Sequence, residues 1–146
     1  MTEPLFSRVV VPVADRDDAA STAATLRSYV AGDSRVIAVH VLEKAGGPPD
    51  NASLEQREQR AVEVFSIVTE GFADSGVVLE SELRYGTDIA STVVDAADDR
   101  SARGIVFTPR GGRRWRKLLT GDVTHNIVRS SGIPIVVLPD REERES

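Results

Sequence analysis

The chain has 146 residues, of which 40% are hydrophobic and 28% charged, enough for one domain with a sizeable core and too apolar for a disordered chain. A net charge of −5 speaks against a nucleic-acid surface spread over the whole molecule, and the absence of cysteine excludes disulfides, thiolate metal sites and a cysteine nucleophile. No apolar run approaches the roughly 20 residues of a membrane span, and no secretory leader is recognisable, so a cytoplasmic protein with no membrane partner is expected.

Strand one is RVVVPV, Arg8 to Val13. Helix one follows over about Asp17 to Ala31, with Ala19, Ala23, Leu26 and Val30 at helical spacing and Gly32 as its C-terminal glycine. Strand two, VIAVHVL from Val36 to Leu42, is an apolar run that reads as covered on both faces. Two glycines and two prolines make Lys44 to Ser53 a loop. Helix two runs from about Ser53 to Phe72, with a capping box at Ser53 and Gln56 and a buried stripe of Leu54, Ala61, Phe65, Val68 and Phe72.

Strand three, Val77 to Tyr85, alternates Leu79, Leu83 and Tyr85 with Glu80, Glu82 and Arg84, the pattern of an edge strand. Helix three spans Thr87 to Asp98 and strand four is GIVFT, Gly104 to Thr108. A glycine- and arginine-rich loop covers Pro109 to Thr120, helix four covers Asp122 to Ser131, and strand five is Ile133 to Leu138. Residues 1–139 thus make one domain and 140–146 a polar tail. Strict alternation of strands and helices predicts an α/β fold with a doubly wound parallel sheet, whose ligand crevice lies past the carboxyl ends of the strands where strand order reverses.

The segment Thr108 to Val128 carries the most chemistry. It leaves an apolar strand, passes Gly111 and Gly112, gathers Arg110, Arg113, Arg114, Arg116 and Lys117, and meets Gly121 as a helix opens. Glycines let backbone N–H groups approach an anion, and a helix start adds unpaired N–H groups, so strand, glycine loop and helix start are the parts of a phosphate cradle.

These motifs resemble the universal stress protein family. The family's signature is glycine, two residues, glycine, nine residues, then glycine and a small hydroxyl residue; here Gly111 and Gly121 enclose nine residues. The opening VPVAD (Val11–Asp15), the second strand's VHVLE (Val39–Glu43) and the closing GIPIVVLP (Gly132–Pro139) are similar to family segments in the same order. The PVAD start with FTPRGG, together with scarce lysine (Lys44 and Lys117), is similar to a branch from salt-loving archaea. The resemblance implies a Rossmann-like, adenine-nucleotide alpha hydrolase-like sheet of five parallel strands in the order 3-2-1-4-5. It also implies a homodimer paired through strand five, and ATP or another adenine nucleotide as ligand, with or without Mg. Pro12, Val13, Ala14 and Val41 would line the base and ribose pocket; Gly111, Gly121, Asp122 and Val123 would surround the phosphates; Asp15, Thr108, Arg110 and Thr124 complete the candidate set.

Three positions depart from the family pattern. Thr108 stands for the first signature glycine, Ala14 for the first-strand aspartate, and Asp122 for the hydroxyl residue. A carboxylate about 4 Å from a phosphate charge costs about 4 kcal/mol at an effective dielectric of about 20. Either the arginines or a divalent cation offset that cost, or Asp122 caps helix four and the chain is a nucleotide-free interaction or regulatory module with a protein partner. Asp17, Asp18, Asp98 and Asp99 read as solvated helix ends, His40 as a core histidine and His125 as a surface or capping residue. Trp115 in the basic loop reads as packing and not as a nucleic-acid stacking platform. No metal site, nucleophile elbow or placed general base is recognisable, so a binding protein and not an enzyme is expected.

Overall fold

The computed structural model of the chain describes residues 5–30, 32–43, 51–108 and 132–138. A 3-10 turn at Leu5–Ser7 leads into β1 (Arg8–Pro12), followed by α1 (Arg16–Leu26), β2 (Arg35–Glu43), α2 (Asn51–Gly71), β3 (Val78–Gly86), α3 (Ile89–Asp99), β4 (Gly104–Phe107) and β5 (Ile135–Val137). Residues 44–50 of the loop expected over 44–53, the basic loop at 109–120, helix four at 122–131 and the polar tail lie outside the described residues.

The strands form one five-stranded sheet in the order β3-β2-β1-β4-β5, every pairing parallel, as expected. The two-residue alternation of a strand sorts the apolar runs onto two faces. Val9, Val11, Val13, Val36, Ala38 and Val106 pack under α1 and α2 with Ala19, Ala23, Leu26, Val64 and Val68. Val10, Ile37, Val39, Val41, Ile105 and Phe107 pack under α3 with Ile89, Val93 and Ala97. The runs in β1, β2 and β4 are continuous because both faces are covered. Against α1, α2 comes so close at Gly71 that an added Cβ would lie 2.4 Å from the Ala23 Cβ.

β3 is the edge its alternating charges predicted. Those charges are matched: Arg84 pairs with Glu82 at 2.7 Å and Asp99 at 2.8 Å, and Arg100 reaches Glu82 at 3.3 Å and Glu80 at 3.5 Å. The ladder clips the edge strand to α3. It also holds the Arg84 guanidinium above its ordinary value, chiefly through the hydrogen bond to Glu82, with burial acting the other way.

Several boundaries differ from the sequence reading. α1 stops at Leu26, short of Ala31, so Gly32 does not cap it. The chain tightens there because the Ser28 hydroxyl donates to the Thr25 carbonyl at 2.8 Å and the Tyr29 N–H donates to Leu26 O at 2.8 Å, a local alternative to continuing the helix. α2 already runs from Asn51, which puts Ser53 inside the helix instead of at its N-cap. Val64, absent from the expected stripe, is fully buried. β5 is shorter than expected, yet its flanks still bond to β4: Ile105 N–H donates to Pro134 O and Leu138 N–H to Phe107 O, both at 2.9 Å. Among the described residues no helix is long and apolar enough to cross a membrane.

Candidate functional site

Strand order reverses between β1 and β4: the chain moves outward from β1 to β2 and β3 on one side, and from β4 to β5 on the other. Ligand crevices in open α/β sheets form at such a switch point, beyond the carboxyl ends of the strands. The pairing recorded between β1 and β4 covers Val9 with Gly104 and Val10 with Ile105, and stops before either strand ends. Pro12 supplies the reason. The Val13 N–H donates to Val39 O of β2 at 2.9 Å, and alternation along the strand turns position 12 towards β4. Proline has no N–H to give there, so the backbone ladder between the two strands stops before that residue.

The structure gathers the predicted residues of β1 and β2 at this point. Pro12 and Val13 are buried at the end of β1, and half-buried Ala14 packs against the cluster that contains Val41 and Phe107. Ala14 and Val41 thus belong to one apolar wall on the α3 side of the sheet. Arg110, Gly111, Gly121, Asp122, Val123 and Thr124 lie outside the described residues, as do Trp115 and His125.

Two predicted residues make bonds within the protein. Asp15 is exposed, but its carboxylate is the N-cap of α1 and accepts the Asp18 N–H at 2.8 Å, while its carbonyl accepts the Ala19 N–H. A ligand contact at Asp15 would compete with that cap. Thr108 is 4% exposed, and its hydroxyl faces inward to Thr22 of α1 at 2.8 Å instead of lining the crevice.

Sequence reasoning missed the residue at the centre of this arrangement. Asp18, read as a solvated helix end, is 2% exposed. One carboxylate oxygen accepts the Ala14 N–H at 2.6 Å and the other accepts the Thr22 hydroxyl at 3.1 Å. A hydroxyl has one proton, so Thr22 spends its own on Asp18 and accepts that of Thr108. The polarity of the chain is therefore fixed: Thr108 donates to Thr22, Thr22 donates to Asp18, and Asp18 also accepts Ala14. The spacing of Asp18 and Thr22, four residues apart on one helical face, is the sequence signal that marks the pair.

His40 is a core histidine, as expected: it is 5% exposed, meets Phe65 edge-on, and its Nδ1 lies 2.8 Å from Val13 O. A carbonyl only accepts, so Nδ1 carries the proton. The turn that ends β1 thus spends the Val13 N–H, the Val13 carbonyl and the Ala14 N–H within the protein. The start of α1 is acidic, with Asp15, Asp17 and Asp18 where a helix N-terminus would otherwise attract an anion. The exposed carboxylates of Asp15 and Asp17 make this helix start unfavourable for an anion. Among the described residues no three His, Asp or Glu side chains converge to hold a metal. A groove of about 740 Å³ lies between α1 and α2, lined by Ala24, Thr25, Arg27, Ile67, Glu70 and Gly71, away from the strand ends.

A family model described as the universal stress protein family matches residues 5–139. No curated protein matches the chain. Among solved structures, a universal stress protein from Lactobacillus plantarum is similar at 22% identity over 93% of this chain and 99% of that one, with a TM-score of 0.68. One from Archaeoglobus fulgidus in complex with dAMP is similar at 22% identity over 92% and 99%, TM-score 0.56. One from Arabidopsis thaliana with AMP bound is similar at 15% identity over 94% and 95%, TM-score 0.58.

Proposed function

The chain belongs to the universal stress protein family, and from that premise we propose that it is a cytoplasmic binding protein, not an enzyme, that takes an adenine nucleotide of the ATP type at the ends of β1 and β4. The observation that carries the reading is the interrupted β1–β4 ladder at Pro12, beside which Ala14 and Val41 join one apolar cluster at the switch point. Relatives of the same fold hold AMP and dAMP. Base and ribose lie against Ala14 and Val41, where the acidic start of α1 welcomes donors. The phosphates lie away from α1, towards the glycine segment that begins after Thr108. Mg²⁺, where it takes part, is held mainly by phosphate oxygens, since the described carboxylates of the wall are committed to the cap and to Ala14.

The test is calorimetric titration and thermal unfolding with ATP, with and without Mg²⁺, and with AMP. Binding at 100-fold excess over Kd stabilises the fold by about 2.7 kcal/mol. No heat and no shift at millimolar nucleotide would sink the reading and leave the interaction module, in which Asp122 blocks the phosphate site; Asp122→Ser then creates binding where the natural chain has none.

The same proposal includes a homodimer through β5. This edge strand is short and apolar, with Val137 49% exposed, and a bare apolar edge invites a second copy. Val137→Glu converts the dimer to a monomer in light scattering; a natural chain that is already monomeric overturns this part. A salt-adapted origin fits the net charge of −5 and the preference for arginine over lysine.

A further inference from the structure

We propose that Asp18, Thr22 and Thr108 form a strut that sets the width of the crevice between the ends of β1 and β4, and so act as positioning residues for the nucleotide. The inference rests on the nucleotide reading above.

The backbone ladder does not hold these strand ends together. Its recorded pairs stop at Val10 and Ile105, and Pro12 removes the next donor on that side. Beyond that point the hydrogen bonds that link β1 to β4 among the described residues run through side chains. They lead from the Ala14 N–H to Asp18 (2.6 Å), from Asp18 to Thr22 (3.1 Å) and from Thr22 to Thr108 (2.8 Å). The three side chains are 2%, 1% and 4% exposed, so water does not compete for these bonds. Both hydroxyls donate towards Asp18, which accepts the Ala14 N–H from the other side, so the donors converge on one carboxylate and the two hydroxyl bonds polarise each other. Ala14 belongs to the apolar wall that meets the base, and Thr108 is the last described residue before the glycine segment. The strut therefore spans the two sides that a nucleotide must touch at once. It also accounts for Thr108 in a position where the family carries glycine: the side chain turns away from the crevice and becomes the far anchor.

A strut makes a specific demand on variants. Thr22→Val and Thr108→Val keep shape and remove the hydroxyl, whereas Thr22→Ser and Thr108→Ser keep the hydroxyl. ATP with Mg²⁺ is titrated calorimetrically at a temperature well below every unfolding transition. Val64→Ala serves as the control, because Val64 is a fully buried residue of α2 whose truncation lowers stability without touching the strut. The expected result is at least a tenfold loss of affinity in each valine variant. The double valine variant is no more than about threefold weaker than the weaker single, since both break one link. The serine variants and Val64→Ala stay within threefold of the natural chain. Unchanged affinity in the valine variants, additive losses in the double variant, or losses that follow unfolding temperature along the same line as Val64→Ala would overturn the strut while leaving the nucleotide site intact. A natural chain that does not bind ATP overturns the nucleotide reading itself and the strut's role with it.

Discussion

Replacing Asp18 with alanine tests the physical core of the site without any ligand. The substitution strips the acceptor from the Ala14 N–H and from the Thr22 hydroxyl. Hydrogen bonds to a charged group are worth about 1.5–3 kcal/mol each, so the two together represent about 3–6 kcal/mol. Part is returned because a carboxylate no longer has to leave water, a cost of several kcal/mol for a buried ion. The start of α1 also loses a favourable negative charge, worth about 0.3–1 kcal/mol. A net loss of about 3 kcal/mol follows, roughly a 150-fold change in the folding equilibrium. With a urea slope of about 2 kcal/mol/M, the midpoint falls by about 1.5 M in equilibrium unfolding followed by far-UV circular dichroism at neutral pH. Asp18→Asn separates charge from connectivity. The amide oxygen can accept from Ala14 and the amide N–H can donate to Thr22, which then donates to Thr108, so the chain reverses and the loss stays near 1 kcal/mol. A drop below about 1 kcal/mol for the alanine variant, or an asparagine variant as unstable as the alanine one, would refute the reasoning.

Other substitutions probe the frame that carries the site. Leu26→Ala removes a fully buried side chain at the last turn of α1 and lowers stability by about 2–5 kcal/mol, read as a shifted denaturant midpoint with an unchanged slope. Gly71→Ala puts a methyl group 2.4 Å from the Ala23 Cβ and costs about 1–3 kcal/mol in the same assay; Ala23→Gly in that background recovers part of the loss, because the collision is with that one atom. The Tyr85 phenol is raised above its ordinary value chiefly because it donates to Glu58 at 2.7 Å. A raised folded-state value contributes stability that is fully present below the unfolded value of about 10 and fades as the pH climbs through the folded one. Glu58→Gln therefore moves one of the tyrosine transitions to lower pH in an ultraviolet titration.

The fold was legible because its determinants are local and repeated. Val9 to Val11, Val36 to Val39 and Ile105 to Phe107 are apolar on both faces, which only a covered parallel strand accommodates, while Glu80, Glu82 and Arg84 mark β3 as the edge. Helix ends were less legible. Nothing at Gly32 reveals that Ser28 and Tyr29 have already turned the chain by hydrogen bonds to Thr25 and Leu26. At the end of β1, the burial of Pro12 and Val13 and the packing of Ala14 in one cluster with Val41 follow from their place at strand ends, but the burial of Asp18 was not legible. In sequence it is the twin of Asp17, and both fit a helix start. Their fates diverge because α1 turns by about 100° per residue: Asp17 is left in water, and Asp18 is carried under the helix to Ala14 and Thr22. Whether a carboxylate at a helix start is solvent-facing or structural is thus a matter of tertiary docking. Thr108 illustrates the same limit, since its partner Thr22 lies 86 residues away.

These particulars bear on how a nucleotide can sit in the crevice. The first helix of a doubly wound fold is a natural seat for phosphate, because its leading N–H groups and dipole attract anions. Here that seat is occupied from within: Asp15 takes the Asp18 N–H, and Asp18 takes the Ala14 N–H. With Asp17 beside them, the start of α1 presents carboxylates. A phosphate brought to this end would meet about 4 kcal/mol of repulsion from a single carboxylate about 4 Å away at an effective dielectric of about 20. The opposite orientation puts amino and hydroxyl donors against the acceptor-rich wall and the base against Ala14 and Val41. In the nucleotide complex proposed above, the filled helix start therefore works as a direction selector, favouring adenine and ribose towards β1 and the phosphates towards the far side of the β1–β4 boundary.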